Sequence, residues 1–185
     1  KEFILKNNIK FTSKPIGEDT LFNFQVYQQL DNIIFIDSTL YNYIAGRSGS
    51  ALTSFHPKRI EIQLDELQIL QKLLKKFQLE DATLIQEIKT KIIVSATFQI
   101  SNLNARRKEK IKLLRSIIDN KAFYDIFSGN RNQIIGSYKT LLRQRNISSF
   151  LRRLSIDLLT QKKFRTVIFI EKMKMNPILR KIAFK

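Results

Sequence analysis

The 185-residue chain has no cysteine and a single histidine, His56. Without Cys it forms no disulfide and no thiolate-ligated metal centre, and one imidazole cannot build a histidine-rich metal site. Nothing therefore calls for an oxidising compartment. Long apolar runs are missing as well: "IIFI" at 33–36 and "VIFI" at 167–170 fall far short of the ~20 residues that cross a bilayer. No signal-peptide pattern opens the chain. It starts at Lys1, inside what reads as a helix, "KEFILKNN", so a fragment of a longer protein is expected.

Positive charge, by contrast, is abundant. The formal net charge is +17 on a chain that is 43% hydrophobic, a globular composition. The excess is not spread evenly. Residues 1–56 hold five Lys and Arg against five Asp and Glu, whereas residues 101–185 hold 21 against 5. Such a block is drawn to anionic surfaces, either phosphate backbones or acidic lipid headgroups.

The hydrophobic pattern changes near residue 56. In "GEDTLFNFQVYQQL", Phe22, Val26 and Leu30 fall on one helical face. "NIIFIDS" and "TLYNYIA" then read as short strands, followed by the loop composition "GRSGSALTS". From Pro57, which suits a first helical position, apolar residues recur at three and four. Helices are expected at about 57–79, 81–103, 105–119 and 131–145, with a short one before Gly129 and a last stretch from Ile147. The predicted organisation is thus an α/β part over 1–56 and a basic, mostly α-helical extension over 57–185.

Two carboxylates, Glu18 and Asp19, sit together after Pro15 and Gly17 at the head of the first long apolar helix. Acidic residues in a first turn meet the positive end of the helix dipole and stabilise by about 0.3–1 kcal/mol, which is sufficient reason for their presence. The same placement also holds an ionised carboxylate aimed outward, as a general base requires.

The order "NNIKF", "GEDTLF", "NIIFIDSTLYNY", "GRSGS" resembles the second half of the catalytic domain of family-2 glycosyltransferases of the GT-A fold, over residues 1 to about 56. The resemblance implies that Asp19 is the base on the acceptor hydroxyl, with Glu18 as its companion. It places Arg47 and Ser50, together with Tyr43 of the Tyr-x-Tyr strand, beside the donor diphosphate. The implied reaction is an inverting displacement: Asp19 takes a proton as the acceptor oxygen attacks the anomeric carbon, and the nucleotide diphosphate leaves from the opposite face. Arg47 otherwise reads as a surface residue of a solvent loop, and His56 as part of the start of the next helix. Tyr41 and Tyr43 point to opposite faces of a strand, so at most one of them faces a site.

The family's Asp-x-Asp metal motif and its nucleotide-binding half are not in this sequence. The resemblance therefore implies a divalent metal, Mn or Mg, for the complete enzyme, with its main ligands outside this chain. The Gln-x-x-Arg-Trp motif of processive synthases is absent too, and the chain has no Trp. Transfer of one or a few sugars to a glycan or lipid-linked acceptor, in cell-surface or exopolysaccharide synthesis, is the implied function. The expected location is the cytoplasm, peripheral on the inner membrane face.

For the basic half, "ISSFLRRLSIDLLTQKKF" reads as an interfacial amphipathic helix, with Phe150, Leu151, Leu154 and Leu158 on the apolar side and Arg152 and Arg153 opposite. Residues 147–185 are accordingly expected to bind anionic membrane. A helical module that binds nucleic acid or docks a partner protein without catalysis is the alternative. Nucleic acid is disfavoured because no reading motif is present and most Phe fall within apolar faces.

Overall fold

The computed structural model describes residues 1–14, 16–32, 34, 37–38, 55–128 and 147–174. Its elements are α1 (Glu2–Lys6), α2 (Glu18–Gln28), α3 (Arg59–Lys76), α4 (Ala82–Asn102) and α5 (Arg107–Ile118). A 3-10 turn (Lys121–Phe123) then runs into α6 (Tyr124–Phe127), followed by α7 (Ile147–Thr160) and α8 (Phe164–Met173). By packing, the chain divides into two compact units, Lys1–Ile85 and Gln86–Lys185.

The α/β expectation for residues 1–56 is corrected by this structure. The described residues of that region form two helices and irregular chain, and no strand occurs among the described residues anywhere. Of the first supposed strand, Asn32, Ile34, Asp37 and Ser38 are described, without regular structure, and Ile34 is 88% exposed. Its β-branched residues carry the local preference of a strand. That preference reflects packing on a pleated, half-buried surface, and among the described residues no strand stands beside it to supply one. The second supposed strand, "TLYNYIA", lies outside the described residues.

In the first unit, α2 and α3 lie side by side and run in the same direction. Glu66, midway along α3, stands against Gly17 at the start of α2, and Lys76, at the end of α3, donates to the Gln28 carbonyl at 2.6 Å. This contact places a cation on the last carbonyls of α2, where the helix dipole is negative. Buried Ile9, Ile16, Leu21, Ile62 and Leu67 form the apolar contact. The segment ahead of α2 is held on it by Gln25, whose side chain donates to the Lys10 carbonyl at 2.9 Å and accepts from the Lys10 amide at 3.3 Å. Phe11 stacks on Phe22 with ring centroids 4.3 Å apart.

The second unit has a deeper core. Ile93 of α4, Leu114 and Ile117 of α5, Phe123, Leu159 of α7 and Val167 of α8 are completely buried, each worth about 1.5–3 kcal/mol of transfer free energy. Helix α7 packs on α8, and α5 on both. A polar cluster is sealed between α7 and α8. Ser155 Oγ donates to Glu171 Oε1 at 2.5 Å, and Lys174 Nζ reaches the same oxygen at 2.6 Å, with Ser155 and Glu171 both fully buried. At the end of α4, buried Lys110 donates to the Ser101 carbonyl at 2.9 Å and so satisfies an acceptor of the final turn.

Three helices stop in the same way. After α1, α3 and α7 the chain enters the left-handed region at Asn8 (φ 51°), Gln78 (φ 56°) and Lys162 (φ 57°). Paired bonds of the Schellman pattern close each end: Ile9 N to Ile4 O and Asn8 N to Leu5 O, Leu79 N to Leu74 O and Gln78 N to Lys75 O, Lys163 N to Leu158 O and Lys162 N to Leu159 O. None of the three positions is glycine. Hydrogen bonding and packing therefore hold a conformation that the side chains disfavour.

Candidate active site

The first turn of α2 is entered through Gly17 in the left-handed conformation (φ 74°), with Glu18 and Asp19 following, both exposed. A side chain at position 17 would be strained at this φ, and its Cβ would land on Glu66 Oε1. Gly17 thus lets the α3 carboxyl come against the start of α2. The Gly17 carbonyl accepts the first helical bond, from Leu21 N at 2.9 Å, and Asp19 Oδ1 accepts from Thr20 N at 2.8 Å. Oδ2 of the exposed Asp19 remains for a proton donor from solution.

Around Glu66 the charges alternate. Lys14 Nζ pairs with Asp65 at 2.8 Å, and Arg59, two turns before Glu66 on α3, is buried. Burial pushes the Glu66 carboxyl up to about 7; Lys14 and Arg59 oppose this shift, while Asp19 and Asp65 add to it. Burial likewise lowers Arg59, against the pull of Glu66. The start of α2 therefore holds two carboxyl groups in different settings, Asp19 open to solvent and Glu66 half-buried and titrating near neutrality. Such a division is the one by which paired acids separate into proton donor and proton acceptor.

Glu66 escapes the sequence reading because an acid within a helical run counts as part of a solvated face. One signal was available: Glu66 lies four residues after Ile62, four before Leu70 and next to Leu67, which puts an acid on the apolar stripe of α3. Tyr43, Arg47 and Ser50, the residues expected at a donor diphosphate, lie outside the described residues, as does Tyr41. His56 is half-buried just ahead of α3, where its carbonyl accepts from Arg59 N at 3.0 Å.

No group of three or more His, Asp or Glu side chains is arranged to hold a metal ion among the described residues. Ser155 and Lys174, 3.3 Å apart, pair the residue types of a nucleophile and a base. Complete burial of Ser155 and donation of its proton to Glu171 make the cluster a packing element instead. Among the described residues no helix is long and apolar enough to cross a membrane.

No family model matches the chain, and no curated protein or solved structure matches it either.

Proposed function

We propose that this chain carries the acceptor-activating part of a glycosyltransferase, with Asp19 as general base and a nucleotide sugar as donor. The observation that carries the reading is the placement of Asp19: an exposed carboxylate in the first turn of an 11-residue helix, with one oxygen fixed by Thr20 N and the other open. The ordered pattern from "NNIKF" to "GRSGS" supplies the reaction class. Asp19 removes the proton of a glycan or lipid-linked acceptor as the hydroxyl oxygen attacks the anomeric carbon, the bond to the diphosphate breaks, and the configuration inverts. Arg47 and Ser50 receive the charge that develops on the leaving group, since Arg offers a planar fork of donors to phosphate. Glu18 helps to hold the first turn at the positive end of the helix dipole.

The test is Asp19→Asn in the complete enzyme, assayed for transfer from a panel of nucleotide sugars. Loss of the base is expected to reduce transfer by roughly 10²–10⁴-fold, with unchanged donor affinity and an unchanged melting temperature. Transfer at the parental rate would remove Asp19 from the chemistry. Arg47→Ala is expected to weaken donor binding and slow turnover together, and unchanged calorimetric affinity with unchanged turnover would return Arg47 to a solvent loop.

A further inference from the structure

Helix α8 has two sharply different sides. Phe164, Val167, Ile168 and Glu171 are buried toward the unit's interior, while Arg165, Thr166, Phe169, Lys172 and Met173 are exposed. The spacing of the exposed set is that of one helical face: Phe169 lies four residues after Arg165 and three before Lys172, and Met173 four after Phe169. Phe169 is 63% and Met173 39% exposed, an apolar pair one turn apart with a cation on each side. Exposed Lys162 and Lys163 lead into the same helix.

Positive charge continues onto α5, which packs on α8. Arg106, Arg107, Lys108, Lys112 and Arg115 are all exposed there, and the Arg115 guanidinium stands 5.9 Å from the Phe164 ring centroid. Lys172 lies near enough to buried Lys110 to reinforce the lowering that burial imposes on that ammonium. The exposed cations of the two helices raise the local positive potential, which attracts anions.

The apolar row that the sequence offers for membrane contact is placed otherwise. Leu158 is buried, and Phe150, Leu151 and Leu154 are half-covered on a helix that packs against α5 and α8. The apolar contribution falls instead to the outer face of α8.

We infer that the outer face of α8 docks this protein on an anionic lipid surface, with Phe169 and Met173 entering the headgroup boundary and Arg165, Lys172, Lys162 and Lys163 meeting lipid phosphates. Lipid is favoured over nucleic acid by the composition of the face. Phe169 lies between Arg165 and Lys172 with Met173 one turn further on, and Met173 offers a flexible thioether that fills an acyl boundary but gives a base no ring to stack on.

The absence of Trp permits a direct test, because Phe169→Trp creates a single tryptophan on the face, excited selectively over the five tyrosines. The full chain is titrated with vesicles of phosphatidylcholine alone and with roughly 30% phosphatidylglycerol added. The expected result is a blue-shifted emission on the anionic vesicles only, quenched by lipid brominated in the upper acyl chain, with affinity at least tenfold above that for neutral vesicles, in order of magnitude. Phe169→Ser with Met173→Ser should abolish the salt-resistant part of binding, and circular dichroism should be unchanged because both positions are exposed. Emission that stays unshifted, or quenching absent in the bound state, overturns insertion. A tighter complex with an oligothymidylate at equal phosphate concentration, without a blue shift, overturns the lipid assignment in favour of single-stranded nucleic acid. Vesicle binding needs no sugar transfer, so this test and the Asp19 test fail separately.

Discussion

The two units differ in almost every physical respect. Lys1–Ile85 carries ten Lys and Arg against ten Asp and Glu, whereas Gln86–Lys185 carries 23 against 6, so the whole net charge belongs to the second. All the completely buried large side chains among the described residues lie in the second unit as well. The neutral unit is held by a thin apolar contact, two lysine contacts and a carboxyl that titrates near neutrality. The basic unit is held by a core thick enough to bear the self-repulsion of its surface. The contrast runs parallel to the two proposals: the proposed base lies where the packing is shallow and polar, and the proposed lipid-docking face lies where the scaffold is firm.

The contrast can be broken most severely from within the second core. Glu171→Ala removes the acceptor shared by Ser155 and Lys174 and leaves the ammonium, only 17% exposed, without its partner. A loss of about 3–5 kcal/mol in urea denaturation is expected, and Glu171→Gln should recover part of it by keeping an acceptor for Ser155. A loss below about 1 kcal/mol for Glu171→Ala would show that the seal between α7 and α8 contributes little. Leu159→Ala should cost about 3 kcal/mol, against roughly half that for Leu21→Ala, because only Leu159 lies in a site packed on all sides. Equal costs would erase the difference in packing between the units.

Smaller effects sharpen the contrast from the first unit. Gly17→Ala should destabilise by about 1–2 kcal/mol, chiefly through its positive φ, since the Glu66 side chain that a Cβ would meet can swing aside. Glu66 gives that unit a pH dependence of definite sign. Its folded value of about 7 lies above the ordinary 4.5, so its stabilising contribution is complete below 4.5 and is lost as pH rises toward 7. Glu66→Gln should abolish this slope and raise stability at pH 8 by about 1 kcal/mol. An unchanged urea midpoint from pH 4.5 to 8 in the parent protein would remove Glu66 from that role. Least of all, Lys162→Gly should stabilise by about 0.5–1 kcal/mol by relieving the left-handed residue after α7.

Helices were legible where apolar spacing is regular. The stretches expected at about 57–79, 81–103 and 105–119 are α3, α4 and α5, each trimmed by one to three residues at its ends. For α3 the trimming has a physical source: the stop at Gln78 lacks the glycine that announces such an end, so nothing in the residue type marks it. The strand assigned over residues 32–38 came from local β preference alone, and its described residue Ile34 is exposed, without the packed surface on which that preference depends. At the site, Glu18 and Asp19 could be placed on a helix start because first-turn acids follow a local rule. Glu66 could not, because its setting depends on α3 meeting α2, a contact between residues 49 positions apart in the chain from Gly17.

The carboxyl at Glu66 also makes folding of the first unit a reaction with the solvent. Midway between 4.5 and about 7 the unfolded side chain is mostly ionised and the folded one mostly protonated, so each molecule that folds withdraws up to one proton from the buffer through this group. Heat measured on unfolding in that range therefore includes the ionisation enthalpy of whichever buffer takes the proton back. Phosphate and Bis-Tris, which both buffer in the upper part of that range but differ widely in that enthalpy, would report different transition enthalpies for the same structural change.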